Sequence, residues 1–312
     1  MGIVTLDQIE AAARVQMDAS NKGVRLALAD VLVQQGIVTQ ATRENVEKKK
    51  PSSSVLFTKK TPYQVIKLAK HQGGYLFTLN GSLQVHTNEE KLYHEAFATA
   101  PMMLAEKVER VVILGGGDGM AARNVLHFPE VKDATLIELD EDVLDLCSTH
   151  EVWSKLNEGA LTNKRLKVVC GDAIAWFLKS KKKFDVILHD IEDTETDQPS
   201  AISLEMYQSL FYAIRDKLAP GGVLVTTVAS DDQIDAMLIA LFEAQSADMP
   251  PKIRAEFKRK RTVEGRTEVL LKTIFPHVLN WPVEFPVLGR HTMFYASHKP
   301  IKKIQRWPDV KP

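Results

Sequence analysis

Short apolar runs alternate with segments of helical periodicity from residue 108 onward. The runs lie at residues 111–114, 134–137, 166–169, 184–188 and 223–227. Runs of this length, separated by helix-like segments, are typical of parallel strands that are buried on both faces. The pattern therefore predicts an α/β fold with a doubly wound parallel sheet. Because such sheets bind ligands at the carboxyl ends of their strands, we expect the chemistry of the protein there.

A different pattern precedes these runs. Residues 75–79 and 83–87 alternate between apolar and polar positions around Asn80 and Gly81, a pair typical of a tight β-hairpin. Residues 1–50 have helical spacing and are followed by a Pro-Ser-Ser-Ser segment typical of a linker. We therefore expect three parts, which are a helical N-terminal extension (1–50), a small antiparallel β-strand domain (55–100) and the α/β domain (101–312).

Composition narrows the classes of protein to consider. The 312 residues are 45% hydrophobic and 26% charged, as in an ordinary folded protein. Lys plus Arg and Asp plus Glu both number 40, and this neutral balance argues against a nucleic-acid-binding protein. Two cysteines, Cys147 and Cys170, cannot build a disulfide framework or a thiolate metal site. Without a long apolar run or a signal-peptide pattern, the expected location is the cytoplasm, with no membrane partner.

Three features at predicted strand ends indicate a nucleoside site. Residues 115–119 are Gly-Gly-Gly-Asp-Gly, in which glycines such as Gly115 and Gly117 permit a tight turn and close approach of a ligand. Glu138 ends the second strand, where a carboxylate can accept hydrogen bonds from ribose hydroxyls. Asp172, followed by Ala173, ends the third. Each has a plainer alternative, namely a ligand-free turn, a solvated acid and a helix N-cap.

The glycine loop does not match a dinucleotide fingerprint. Its spacing departs from G-x-G-x-x-G because Met120 follows the last glycine, so NAD is disfavoured. Asp118 in the loop would repel the α-carboxylate of S-adenosylmethionine and favour a ligand that carries only an amine there, such as decarboxylated S-adenosylmethionine. The alternative for Asp118 is a cap on the following helix, and both roles can coexist.

An acidic segment follows the fourth predicted strand. Residues 184–214 contain no Lys or Arg but seven Asp and Glu residues, which creates a negative field suited to a polycation. Asp190 and Asp193 are spaced so that two carboxylates can hold one ammonium group and accept its proton. A solvated acidic loop is the plainer interpretation. We expect no metal ion, because no matching histidine cluster accompanies these acids.

Taken together, these motifs resemble the aminopropyltransferases, the spermidine synthase family, over residues 55–298. The resemblance rests on motifs that occur in the family's order, which are residues 61–64 (Thr-Pro-Tyr-Gln), 80–84 (Asn-Gly-Ser-Leu-Gln), 93–95 (Tyr-His-Glu), 115–119, 137–140 (Ile-Glu-Leu-Asp), 171–173 (Gly-Asp-Ala), Asp190 with Asp193, and 218–222 (Leu-Ala-Pro-Gly-Gly). It implies a Rossmann-like, methyltransferase-type catalytic domain at 101–312. It also implies transfer of a propylamine group from decarboxylated S-adenosylmethionine, as co-substrate and with no other cofactor, to a di- or polyamine. A homodimer or homotetramer is implied as well.

The resemblance also implies roles for individual residues. Gln64 and Glu138 would bind the ribose side of the thioadenosine, and Asp172, beside Ala173, would bind the adenine amino group. Asp118 would hold the propylamine end of the donor. Asp190 would be the base that helps to deprotonate the attacking amine. The amine-binding residues would be Gln84, Tyr93, His94 and Asp193.

Three departures from the family pattern bear on the acceptor. Residues 194–199 replace a glycine-containing gate with a more acidic loop, Phe285 stands where a tyrosine is usual, and Met120 stands where a second glycine is common. The sequence therefore leaves two rival functions open. One is a methyltransferase that uses S-adenosylmethionine on a small molecule. The other is a non-catalytic protein that senses polyamines or nucleosides.

Overall fold

The computed structural model describes residue 15 and residues 28–39, 54–191, 204–229 and 263–301. The chain divides into two compact units, residues 1–54 and residues 55–312. In the first unit the described helix is α1 (Leu28–Gln34), which ends shortly before Gly36. Gly36 has a φ of +68°, a conformation that glycine adopts without strain after a helix. The other helices predicted within residues 1–50 lie outside the described residues, and the three-part division of the chain stays a prediction.

The described strands form two sheets. Their bounds are β1 (Ser54–Lys60), β2 (Val65–His71), β3 (Gly74–Leu79), β4 (Ser82–His86), β5 (Arg110–Gly115), β6 (Asp133–Glu138), β7 (Leu166–Cys170), β8 (Phe184–Asp190), β9 (Leu218–Ala229), β10 (His277–Phe285) and β11 (Gly289–Ser297). The small sheet has the order β1-β2-β3-β4, and the large sheet has the order β10-β11-β9-β8-β5-β6-β7.

The hairpin predicted in the small sheet is confirmed. Strands β3 and β4 are antiparallel, and Asn80 and Gly81 connect them with φ angles of +50° and +87°. Two successive positive φ angles define a type I′ turn, whose twist matches that of the flanking strands. The pairing of β3 with β4 shifts register between Phe77 and Thr78, and Gln84 is the extra residue on β4 at that bulge.

The large sheet changes direction of winding between β5 and β8. The chain runs from β5 to β6 and β7 on one side, and then returns to β8 and β9 on the other side of β5. These five strands are parallel, and the β10–β11 hairpin adds antiparallel strands beside β9. The crevice between the carboxyl ends of β5 and β8 is therefore the place where a doubly wound sheet binds its ligand.

Helices cover both faces of the large sheet. Their bounds are α2 (Glu90–His94), a π-helical turn (Glu95–Thr99), α3 (Ala100–Leu104), α4 (Met120–Leu126), α5 (Glu141–Thr149), α6 (Glu151–Leu156), a 3₁₀ turn (Ala160–Thr162), α7 (Ala173–Lys179), α8 (Leu204–Lys217) and α9 (Val263–Ile274).

Alternate residues of each central strand enter two different cores. On β5, Val112 and Leu114 pack with α7, α8 and α9, whereas Val111 and Ile113 pack with the π turn, α3 and α4. All four side chains are fully buried, which explains why these strands are almost continuously apolar in sequence. The doubly wound α/β fold is thus confirmed. None of the described helices is both long and apolar enough to cross a membrane.

Candidate active site

The glycine loop and Asp190 meet at the crevice between β5 and β8. Gly115 and Asp190 are register partners in this parallel pair. A Cβ atom at Gly115 would overlap the Asp190 carbonyl oxygen, and one at Gly116 would lie 3.0 Å from Asp190 Oδ2. Both glycines have positive φ angles, +85° and +73°. Glycine is therefore required here for two reasons, the backbone conformation and the closeness of β8.

Glu138 is bound to the other side of the same loop. Its Oε2 accepts a hydrogen bond from the Gly117 amide at 3.1 Å, and its Oε1 accepts one from the Asp140 amide at 3.0 Å. Burial raises the pKa of Glu138, while these two hydrogen bonds from backbone amides act to lower it. Both carboxylate oxygens are thus held at the end of β6, where the sequence analysis expects them to accept hydrogen bonds from ribose hydroxyls.

Gln64 joins this group from the small sheet side. Its Nε2 donates to Asp140 Oδ2 at 2.9 Å, and the Thr61 hydroxyl donates to the same oxygen at 2.7 Å. The other oxygen of Asp140 caps α5 by accepting from the Asp142 amide at 3.1 Å. Asp140 therefore links Gln64 to Glu138, which the sequence analysis placed together on the ribose side.

Asp172 and Ala173 begin α7 at the carboxyl end of β7. The exposed Asp172 side chain accepts from the Ala175 amide at 2.9 Å, so the N-cap interpretation is correct for at least one of its oxygens. Ala173 is buried against the sheet. The amide of Gly171 donates to the Glu138 carbonyl at 2.8 Å, which ties this turn to the end of β6.

Asp118 also has a structural role. Its Oδ1 accepts from the Met120 amide at 2.7 Å and so supports the start of α4. The Asp118 carbonyl accepts from Asn157 Nδ2 at 3.0 Å, which fixes the backbone of the loop. Asp118 remains half-buried at the site. The hydrogen bond from the Met120 amide uses only one carboxylate oxygen of Asp118. The capping role and a role in binding a cation are therefore compatible.

His94 lies among the carboxylates of the site. It is 2% exposed, and its Nδ1 donates to the Glu90 carbonyl at 2.7 Å. Burial disfavours the charged form of the imidazole. The hydrogen bond to Glu90 and the carboxylates of Asp118 and Asp190 outweigh that effect, so the pKa of His94 lies above its ordinary value. The structure therefore brings His94 within electrostatic reach of two other predicted site residues, Asp118 and Asp190.

Tyr93 lies at the centre of an aromatic wall. Its ring centroid is 5.1 Å from that of His94, 5.8 Å from that of Phe285 and 5.7 Å from that of His291. Phe285 and His291 also contact each other at 5.6 Å. Glu89 holds the turn between their strands, because its carboxylate accepts from the Val287 and Leu288 amides at 2.7 and 3.0 Å.

Two predicted residues are not brought into these contacts. Gln84 is half-buried at its bulge, and within the described residues no hydrogen bond or ring contact joins it to another candidate. Asp193 lies outside the described residues, as does the acidic loop at 194–199. Within the described part of the chain, no group of three or more His, Cys, Asp or Glu residues could hold a metal ion.

A family model decides the assignment. The model of the spermine/spermidine synthase domain matches residues 90–250, which is more than half of the chain and contains the glycine loop, Glu138 and Asp190. The chain belongs to the spermine/spermidine synthase family. The resemblance identified from the sequence is therefore confirmed.

Curated relatives of the family are similar over part of their length. A polyamine aminopropyltransferase 2 of Aquifex aeolicus is 34% identical over 181 residues, which are 58% of this chain and 36% of the relative. A polyamine aminopropyltransferase of Oceanobacillus iheyensis is 32% identical over 186 residues, or 60% of this chain and 36% of the relative. This family member thus spans little more than a third of the length of these relatives.

Solved structures of the family share the fold. The spermidine synthase of Thermotoga maritima superposes with a TM-score of 0.58 at 23% identity, covering 81% of this chain and 75% of that one. A spermidine synthase in complex with the transition state analogue AdoDATO gives a TM-score of 0.59 at 22% identity, covering 78% and 74%. The Rossmann-like fold with a preceding small β unit is therefore confirmed.

Four residues of the site were missed by sequence reasoning. Asp140 belongs to the motif at residues 137–140, but the sequence analysis expected only Glu138 of that motif to bind the ligand. Glu90 lies three residues before Tyr93, in a charged stretch with Glu89 and Lys91 whose pattern is that of a solvated surface. Arg123 and His291 carry no local pattern that could have placed them at the site.

Proposed function

We propose that this protein transfers the propylamine group of decarboxylated S-adenosylmethionine to a di- or polyamine and releases methylthioadenosine. The observation that carries the proposal is the position of Asp190 against the glycine loop, with its Oδ2 next to Gly116. A carboxylate at that point lies beside the reactive end of a nucleoside whose ribose is bound by Glu138. Membership in the spermine/spermidine synthase family supports the same activity.

The reaction is a nucleophilic displacement. The acceptor nitrogen attacks the propyl carbon next to the sulfonium, the carbon–sulfur bond breaks, and its electron pair leaves with methylthioadenosine. An alkyl ammonium has a pKa near that of lysine, about 10.4, so it must lose a proton before it can attack. Asp190 accepts that proton and aligns the nitrogen. A carboxylate is a weak base, so much of the acceleration comes from holding both substrates in line.

The remaining residues divide between the two substrates. Gln64, Glu138 and the Asp172–Ala173 turn bind the thioadenosine, and Asp118 binds the propylamine end of the donor. Tyr93 and His94 line the acceptor side, and Gln84 and Asp193 are assigned there from the family resemblance alone. Assembly as a homodimer or homotetramer also rests on that resemblance, whereas the location in the cytoplasm is proposed from the sequence pattern alone.

A product assay tests the proposal. Purified protein receives decarboxylated S-adenosylmethionine or, separately, S-adenosylmethionine, together with putrescine, cadaverine, agmatine or spermidine. Mass spectrometry then follows the nucleoside and amine products. We expect methylthioadenosine and one extended amine, with the decarboxylated donor only. A methylated product with S-adenosylhomocysteine would instead identify a methyltransferase, and binding of a polyamine without any product would identify the sensor.

A further inference from the structure

A buried ion pair lies behind the candidate site. Arg123 on α4 and Glu90 at the start of α2 are 7% and 6% exposed. The guanidinium donates from Nη1 to Glu90 Oε1 at 3.1 Å and from Nη2 to Oε2 at 2.9 Å, which is the bidentate arrangement that fits both groups. Arg123 also donates to the Leu156 carbonyl at 2.7 Å and to Asn124 Oδ1 at 2.9 Å.

Such a pair is weak evidence for stability by itself. Removing two charges from water is so unfavourable that replacing a buried ion pair with apolar side chains is often neutral or stabilising. The cost of burial therefore suggests a purpose other than stability, and the third member of the cluster supplies one.

The third member is His94, whose Nδ1 lies close to both the carbonyl and the carboxylate of Glu90. Its Nδ1 lies 2.7 Å from the Glu90 carbonyl oxygen and 3.4 Å from Glu90 Oε2. A carbonyl oxygen can only accept, so Nδ1 must carry the hydrogen. The nitrogen left to gain or lose a proton is then Nε2.

The charges around His94 come from three elements. Glu90 lies one turn earlier on α2, Asp118 belongs to the glycine loop, and Asp190 ends β8. Arg123, on α4, bonds to the Glu90 carboxylate and so lies behind it in the same cluster. The Glu90 carboxylate is kept ionised, because its bonds to His94 and Arg123 lower its pKa although burial acts to raise it. Helix α2 then continues as a π-helical turn, an irregularity common at functional sites.

We propose that Glu90 and Arg123 are positioning residues: Arg123 fixes the Glu90 carboxylate beside Nδ1 of His94, and this contact orients the ring so that Nε2 is the atom through which it acts on the acceptor amine. The location of the amine rests on the proposed function, whereas the state of the His94 ring does not. Arg123 fixes the Glu90 carboxylate, Glu90 contacts the ring of His94, and the charges of Asp118 and Asp190 act on that ring.

Two variants separate positioning from structural support. Glu90→Gln leaves the Arg123 charge buried without its counterion and is expected to unfold more easily. The double variant Glu90→Met with Arg123→Met removes both charges and should unfold near the wild-type temperature. The matched control is Glu151→Met with Lys155→Met, which removes an exposed pair of the same charges that are 2.7 Å apart on α6.

The pKa of His94 is measured by following the NMR resonances of its ring protons as the pH is varied. The resonances are assigned as those that are missing from the spectrum of His94→Asn. In the double variant we expect the pKa of His94 to fall and kcat/KM for the acceptor amine to drop at least about tenfold. KM for decarboxylated S-adenosylmethionine and all parameters of the control pair should stay unchanged.

The opposite results would overturn the inference. If the double variant keeps the wild-type titration of His94 together with wild-type amine kinetics, Glu90 and Arg123 only support the fold. If the wild-type protein has no aminopropyl transfer activity, the proposed function fails. The titration still decides the inference in that case, since an unchanged His94 pKa in the double variant contradicts it and a lowered pKa supports it.

Discussion

Gly115 and Asp190 are paired in register at the point where the sheet reverses its winding, with no room for a side chain between them. The loop that approaches the nucleoside and the carboxylate expected to act as base are thereby built into two neighbouring strands. Strands of a fully buried sheet move little, so the distance between donor loop and base is set by the fold itself.

The first prediction concerns Asp190. Asp190→Asn keeps the size of the side chain but removes its basicity, so aminopropyl transfer should fall by about 100-fold or more while the protein stays folded. Steady-state rates and thermal unfolding check this. The control is Asp133→Asn, which should retain full activity. Asp133 is a surface acid that pairs with Lys182 at the amino end of β6, the end opposite Glu138. Transfer at a near wild-type rate by Asp190→Asn would remove the role assigned to it.

Gly115→Ala tests the close approach of β5 and β8. The new Cβ would overlap the Asp190 carbonyl, so we expect the free energy of unfolding to fall by at least about 3 kcal/mol, as in overpacked cores. Gly73→Ala is the matched control, because Gly73 has a similar φ of +78° but no atom within 4 Å of the added Cβ. It should lose only the roughly 1–2 kcal/mol of left-handed strain. Equal losses in urea titrations would contradict the steric argument.

Glu138→Gln tests the nucleoside half of the site. The neutral amide loses the charge-assisted hydrogen bonds expected for the ribose, each of which contributes about 1.5–3 kcal/mol. Affinity for methylthioadenosine, measured by calorimetry, should therefore fall by about tenfold or more. Affinity for the polyamine should not change. Glu141→Gln, three residues along at the exposed start of α5, is expected to bind normally, and a loss of affinity there would point to a general charge effect.

Tyr93→Phe separates the hydroxyl from the ring. The ring contacts with His94, Phe285 and His291 should survive, so unfolding should shift by less than about 1 kcal/mol. We expect KM for the acceptor amine to rise by about tenfold with KM for the donor unchanged, because the lost group would serve the amine. Tyr212→Phe, at an exposed position on α8, is the control. A change confined to KM for the donor would contradict this assignment, because it would show that Tyr93 serves the donor and not the acceptor amine.

The burial of His189 allows a prediction of how the stability of the protein depends on pH. Burial lowers its pKa to about 4, whereas the unfolded chain has the ordinary value of about 6.5. The folded state therefore binds fewer protons, and the stabilisation present above pH 6.5 is lost as the pH falls towards 4. The difference amounts to about 3 kcal/mol. His189→Asn should flatten this slope in denaturation curves between pH 4 and 7, and the exposed His127→Asn should keep it.

Elements governed by neighbours in sequence were predictable. The five parallel strands, the Asn80–Gly81 hairpin and the N-cap at Asp172 all depend on a few adjacent residues, and all appear where the sequence indicates them. The place of Glu138 at the end of β6 was predictable too, because the end of a strand one crossover beyond a glycine loop has a fixed place in this fold.

The support of the site was not predictable. Arg123 meets Glu90 from 33 residues away, and Glu89 binds amides 198 and 199 residues away. Such partners are chosen by how helices and strands pack, and an isolated Arg or Glu in the sequence has the same pattern as a solvated one.

The sequence by itself determined the order of strands and helices, the glycine loop and the carboxylates at strand ends, because periodicity and backbone freedom are local properties. Only the tertiary structure decided that the charges of Asp118 and Asp190 act on His94, that Arg123 pairs with Glu90 beside it, and that Phe285 and His291 complete the wall at Tyr93. The physical reason is that the charge state and orientation of a buried side chain depend on the groups around it, and folding brings those groups from distant parts of the chain.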